Sequence, residues 1–372
     1  LASVEAELSP HVSVPEGARQ AVLKAVDRVG TSALSGGKTG VAIRAGRILK
    51  GMGVQADFKD LMGERPGGMA KWRSRGAKML GSAREALAKT HEEPWTVEEL
   101  EWLGTEEGEA FTRERDDFAH PGVAVSPRGW YRIESDCGYE TLLAAASTIE
   151  DHHARLAAYF GEDPFVDARS GDVRQGLVRI VPDPSGLEAE GAPYFWAGGF
   201  QSGDTTVVSL AVGTVEGLGR VLTHELTHRF DGELHRGIPA WLTEGRAVWT
   251  AGAYGQIGDG ECARDYANVG ALRTSLGRGF AGRRNLERIV SGSPEDYRQN
   301  YTAGCALFIY LSTWFPGDAT SLDEGEPVYA DALREFEDGG KHASSEKGRF
   351  EEFVATFCDG EGGRAEDFEA FQ

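Results

Sequence analysis

The strongest constraint in this chain is a stripe of apolar residues between positions 215 and 230. Val215, Leu218, Val221, Leu222, Leu226 and Phe230 recur at intervals of three and four, the period of an α-helix with one face buried. The remaining positions of that stretch include His224-Glu225-Leu226-Thr227-His228. Two histidines four residues apart stand one turn above each other on one helical face, so both imidazoles can reach a single cation about 2.0–2.1 Å away. Glu225, beside the first histidine, can then meet a water on that cation. Zinc lowers the pKa of such a water toward about 7, where a carboxylate can take its proton and later return it.

A third donor follows at a suitable distance along the chain. Gly237-Ile238-Pro239-Ala240-Trp241-Leu242-Thr243-Glu244-Gly245 predicts a second helix starting at Pro239, and a helix–turn–helix can bring Glu244 back to the cation. Three protein donors plus water is the open coordination of a catalytic zinc, whereas a structural zinc is closed by four His or Cys ligands. The cysteines, Cys137, Cys262, Cys305 and Cys358, are widely spaced with no CxxC pair, which excludes a thiolate cluster by spacing while permitting disulfides. A metzincin pattern also fails, because the positions that would need Gly and His hold Asp231 and Leu234. His235 is expected in a solvated loop rather than on the metal, and Asp231 is expected to cap or pair nearby. His152 and His153 are sequence neighbours on a predicted helix, about 100° apart, so they cannot form a metal pair and are expected at the surface.

The rest of the chain changes texture along its length. Residues 1 to 118 read as a helical accessory region, with helix-like stretches at Ala18–Val29, Met69–Lys89 and Val97–Phe111 broken by Gly and Pro. Ser35-Gly36-Gly37-Lys38-Thr39 is not a phosphate loop, because Ser32 stands where the motif needs its first glycine, and an inter-helix turn is expected instead. After Pro121, strands are expected at Trp130–Ser135, Gly176–Val181 and Thr205–Val212, with a helix over Glu140–Phe160. From Val215 onward only helix and loop are expected. A small sheet preceding a helical lobe is an α+β arrangement.

Charge narrows the partners. Asp and Glu number 59 against 39 Lys and Arg, a net charge of −20, so the average surface repels phosphate backbones and nucleic acid is not an expected partner. No run of about 18 apolar residues marks a membrane-spanning helix. The sequence starts at Leu1 rather than Met, so the lack of an export signal carries little weight, and localisation stays open with a lean toward the extracytoplasmic side.

HELTH followed by IPAWLTEG resembles the pattern of the peptidase MA-like gluzincins. The resemblance spans roughly residues 128 to 372, including the strand ending at Ser135, the helix closing in Tyr159-Phe160-Gly161 and a helix around Asn300-Tyr301-Thr302-Ala303-Gly304-Cys305-Ala306-Leu307. It implies a zincin-like catalytic domain over 119–316 with a C-terminal helical extension over 317–372, zinc as cofactor, His224, His228 and Glu244 as ligands, and Glu225 as general base. One position departs from it: where such proteins often carry an acid four residues after the ligand Glu, this chain has Val248. The resemblance also implies an edge strand that pairs with extended peptide, and Thr205-Thr206-Val207-Val208-Ser209-Leu210 stands in that place.

The reaction so implied is hydrolysis of a peptide or amide bond in a peptide or protein substrate. Tyr301, at the start of a helix whose Ala306, Leu307, Tyr310 and Leu311 have core spacing, is the expected oxyanion donor, with Tyr297 as reserve. Two rivals stand beside this reading: a partner-binding protein that keeps a zinc site without catalysis, and a zinc hydrolase of a non-peptide bond. Retention of Glu225 argues against the first, since a site that only holds metal has no use for that base.

Overall fold

A computed structural model describes residues 16–38, 41–42, 45–46, 48–49, 70–90, 94–108, 122–135, 137–181, 184–192, 197–210, 215–255, 283–292, 301–313, 328–339 and 341–358. Its elements begin with α1 (Glu16–Ser35), α2 (Ala70–Thr90), α3 (Val97–Leu103), β1 (Gly122–Val125), β2 (Tyr131–Ser135), α4 (Tyr139–Phe160), β3 (Gly176–Val181) and α5 (Pro184–Glu190). They continue with β4 (Gly199–Ser202), β5 (Thr205–Ser209), α6 (Val215–Leu234), α7 (Ala240–Tyr254), α8 (Arg283–Ser291), α9 (Tyr301–Thr313), α10 (Ala330–Asp338) and α11 (Glu346–Phe357). The chain is α+β, mostly helical, with one small mixed sheet. Among the described residues no helix is long and apolar enough to cross a membrane. Two compact units divide it: Leu1–Glu150 with Val173–Leu218, and Asp151–Asp172 with Gly219–Gln372.

In the first unit, α1 and α2 bury Leu23, Val26, Trp72 and Met79 together. The glycines expected to form a turn end α1: Gly37 takes φ +73° and the Lys38 N–H reaches back to the Ala33 carbonyl at 2.8 Å, which satisfies an orphan helix carbonyl as a left-handed cap does. Thr96 and Glu99 cap α3 reciprocally.

The sheet runs β1-β2-β3-β5-β4, with β2, β3 and β5 parallel and the two outer strands antiparallel to their neighbours. β2 alternates as its sequence predicts. Tyr131, Ile133 and Ser135 are buried, while Arg132 and Glu134 face the other side at intermediate exposure. There the register sets Glu134 opposite Arg179, and the two pair at 3.2 Å.

Two strands escape the sequence pattern because each is only four residues long and glycine-led: β1 and β4. Their presence corrects the edge-strand expectation. Thr205–Ser209 pairs with β3 on one side and β4 on the other, so its backbone groups are committed and β4 is the edge. The far edge, β1, is bridged by Trp95, whose N–H bonds the Val123 carbonyl at 2.8 Å.

In the second unit the described elements are all helical. Trp241 is fully buried at its centre, ringed by Phe336, Phe353 and Phe357 at centroid distances of 5.6–6.3 Å. Leu242, Leu286, Leu307, Phe308 and Leu333 fill in around it. Fully burying side chains of this size contributes about 1.5–3 kcal/mol each relative to leaving them in water.

Candidate metal centre

The centre is carried by α6 and α7. On α6 the expected stripe holds where it is described: Leu218, Leu222, Leu226 and Phe230 are buried and Val221 is half-buried, while the side chain of Val215 lies outside the described residues. α7 starts after Pro239, whose extended backbone sets the entry. The two helices run antiparallel, and their side-chain bonds show it. Thr227 meets Thr250, hydroxyl to hydroxyl at 2.7 Å, and one turn on in α6 and one turn back in α7 Asp231 pairs with Arg246. At the far end of α7 the last helical carbonyl, that of Tyr254, accepts from His152 Nδ1 at 2.9 Å and from Arg155 at 3.1 Å.

Held this way, His224, His228 and Glu244 converge. His224 Nε2 and His228 Nε2 are 3.2 Å apart, and Glu244 Oε2 lies 3.3 Å from the first and 3.5 Å from the second. Donors about 2.0–2.1 Å from one tetrahedral zinc stand about 3.3–3.4 Å from each other, so the triangle already has the size the ion requires. Glu244 Oε2 is buried and makes no hydrogen bond, which is costly for a carboxylate oxygen unless a cation takes its place beside it. Among the described residues three donors converge, a set whose chemistry and spacing fit a zinc ion. Comparison of the chain with protein-family models, curated proteins and solved structures yields no match.

The three donors are coupled electrostatically. Burial works against a charge on His228, but the Glu244 carboxylate outweighs it and pushes the imidazole up to about 9. Burial alone would raise Glu244, yet the two histidines hold it well below the usual carboxylate range. Glu225, only 5% exposed, is raised by burial, with His224 and His228 opposing.

Tyr301 opens α9, and its ring meets the edge of His224 at a centroid distance of 6.1 Å. What brings it there is Gly245, the residue after Glu244. A Cβ at Gly245 would stand 2.4 Å from the Gly304 carbonyl oxygen, so the two backbones touch where neither residue has a side chain. Gly304 is one turn from Tyr301 on the same helix. Tyr297 lies outside the described residues.

Three expectations need revision. His152 and His153 are both 1% exposed rather than at the surface. Their diverging directions are as expected, but α4 is covered on both sides: His152 bonds the Tyr254 carbonyl, while His153 pairs with Asp163 at 2.8 Å and packs on Phe165 and Phe230. Burial drives His152 down to about 4. His235 is half-buried against Phe160, 3.8 Å from Asp338, and outside the donor triangle.

The sequence reading missed Arg246 and Glu337. Arg246 is 1% exposed, and it pairs with Asp231 on one side and Glu337 on the other. The only signal available was a charged residue at a core position of α7.

Proposed function

We propose that this chain is a zinc-dependent peptidase of the gluzincin type, with a zincin-like catalytic region built on α6 and α7. The observation that carries the reading is the triangle of Nε2, Nε2 and Oε2 atoms at zinc-ligand separations with Glu225 buried alongside. His224, His228 and Glu244 would hold a zinc ion, which would supply Lewis acidity toward a carbonyl and toward water, whose pKa it would lower toward about 7. Glu225 accepts the proton of the attacking water and returns it to the leaving amine. Tyr301, beside His224, donates a hydrogen bond to the oxygen on which charge develops. The base and the donor stand in different helices.

Purified protein should carry about one zinc per chain, and His224→Ala or Glu244→Ala should lose it. Glu225→Gln should keep the metal and lose nearly all cleavage of a broad peptide library, cleavage that a chelator abolishes in the parent. Tyr301→Phe should keep metal and melting temperature while turnover falls on the order of 10²-fold. A zinc-loaded parent that cleaves nothing in the library would remove peptide hydrolysis from the reading and leave the metal site standing.

A further inference from the structure

The side chains behind His228 form a chain with only one consistent direction of hydrogen bonding. His228 Nδ1 lies 3.4 Å from Thr243 Oγ1, and that hydroxyl lies 3.0 Å from Asp231 Oδ2. Asp231 Oδ1 accepts from the Arg246 guanidinium, whose other arm is bound to Glu337. Arg246 and Asp231 are 1% and 4% exposed, so this end of the chain is fixed as an ion pair out of water. Glu337 is pushed up to about 7 by burial, with Arg246 opposing.

The polarity follows from counting protons. An ionised Asp231 can only accept, so the single hydroxyl proton of Thr243 goes to Asp231. Its lone pairs are then what His228 Nδ1 faces. The imidazole completes the chain only by donating from Nδ1–H, and a neutral ring protonated at Nδ1 has its lone pair on Nε2, the atom in the donor triangle.

We propose that Thr243, backed by Asp231 and Arg246, is a positioning residue that fixes the His228 tautomer, in place of the acid that Val248 leaves missing. This rests on the metal-centre reading above. It departs from the more usual arrangement, in which a carboxylate bonds the ligand histidine directly, by placing a hydroxyl between the two. The arrangement has a consequence for specificity of sequence. Serine can replace Thr243, because the hydroxyl is what carries the relay. Valine cannot, although it fills the same space.

The test is metal affinity, with no reaction involved. Zinc dissociation constants are measured by competition with a chromogenic chelator for the full-length parent, Thr243→Val and Thr243→Ser. Thermal melts of the metal-free proteins run alongside. Loss of an outer partner of a metal-bound histidine typically weakens binding by about 10–100-fold, so Thr243→Val should fall in that range while Thr243→Ser stays near the parent. In long-range 1H–15N spectra of the zinc-loaded proteins, His228 should show a slowly exchanging Nδ1 proton in the parent and the serine variant, and a faster one in the valine variant. Equal zinc affinity in parent and Thr243→Val overturns the relay and leaves the metal centre intact. If the parent itself binds no zinc, both readings fall, and the two failures are told apart by that one measurement. Asp231→Asn serves as the second variant: it keeps the shape, removes the charge that directs the Thr243 proton, and should lose affinity in step with Thr243→Val.

Discussion

Charged residues gather in two places in this molecule, and they are built in different ways. On the sheet of the first unit, Arg132, Glu134 and Arg179 line one face, with the Arg132–Glu134 pair at 35% and 27% side-chain exposure. In the second unit Asp231, Arg246 and Glu337 are 4%, 1% and 14% exposed. The sheet ladder follows from strand alternation, and Glu134 and Arg179 each have two partners, Glu134 with both arginines and Arg179 with Glu134 and Glu190. In the helical chain, among the described residues, Arg246 is the one cation that serves both carboxylates. Taking charges out of water costs several kcal/mol per ion, which only the partners offset, so removal of Arg246 strands both carboxylates. Water weakens the first cluster and makes it replaceable; its exclusion makes the second obligatory, as the proposed positioning of His228 requires.

The comparison breaks or sharpens at four points. The largest expected effect is Arg246→Met, which leaves Asp231 and Glu337 buried without their cation and should cost about 3–5 kcal/mol in urea unfolding. A loss below about 1 kcal/mol would mean that the chain is no more than a surface pair.

Acidification should give the next largest effect. His152 is buried, with its folded pKa lowered to about 4 from 6.5. Between these values the unfolded chain binds the extra proton, so stability is full above about pH 6.5 and is lost as pH falls toward 4, by on the order of 3 kcal/mol. His152→Asn should flatten that slope relative to the parent, and an unchanged slope would place the acid sensitivity elsewhere.

Glycine sharpens the contrast with opposite signs. Gly245→Ala must push α7 and α9 apart and should cost about 1–3 kcal/mol, together with zinc-independent movement of Tyr301. Gly81→Ala, in the exposed interior of α2 with nothing near its Cβ position, should instead gain about 0.5–1 kcal/mol. Both are read from the same denaturation curves. The smallest effect should be Arg132→Met, within about 0.5 kcal/mol, because Glu134 keeps Arg179 and water screens the rest. A larger loss would show that the sheet ladder is as obligatory as the helical chain.

Local order set how far the sequence could be read. The stripe on α6, the alternation of β2 and the start of α7 at Pro239 are properties of consecutive residues, and each element formed where its own period placed it. The histidine pair was visible because a helix turns every 3.6 residues, so spacing alone puts His224 over His228. Glu244 was reachable by the same logic extended across one turn of chain.

The four-residue strands were not visible, since β1 and β4 are too short to show a period and exist because longer neighbours offer them hydrogen bonds. Nor was the fate of His152 and His153: one helix can state that two side chains diverge, but only its neighbours decide whether both directions are covered. Gly245 read as part of a motif, while its reason, a backbone 2.4 Å from where its Cβ would be, belongs to a helix some sixty residues away. The Asp231–Arg246–Glu337 chain spans more than a hundred positions. Sequence determined which residues could bind a cation, because chemistry and helical pitch are local. Tertiary structure decided what holds them in place, because burial turns distant charges into partners and no single segment of chain contains that burial.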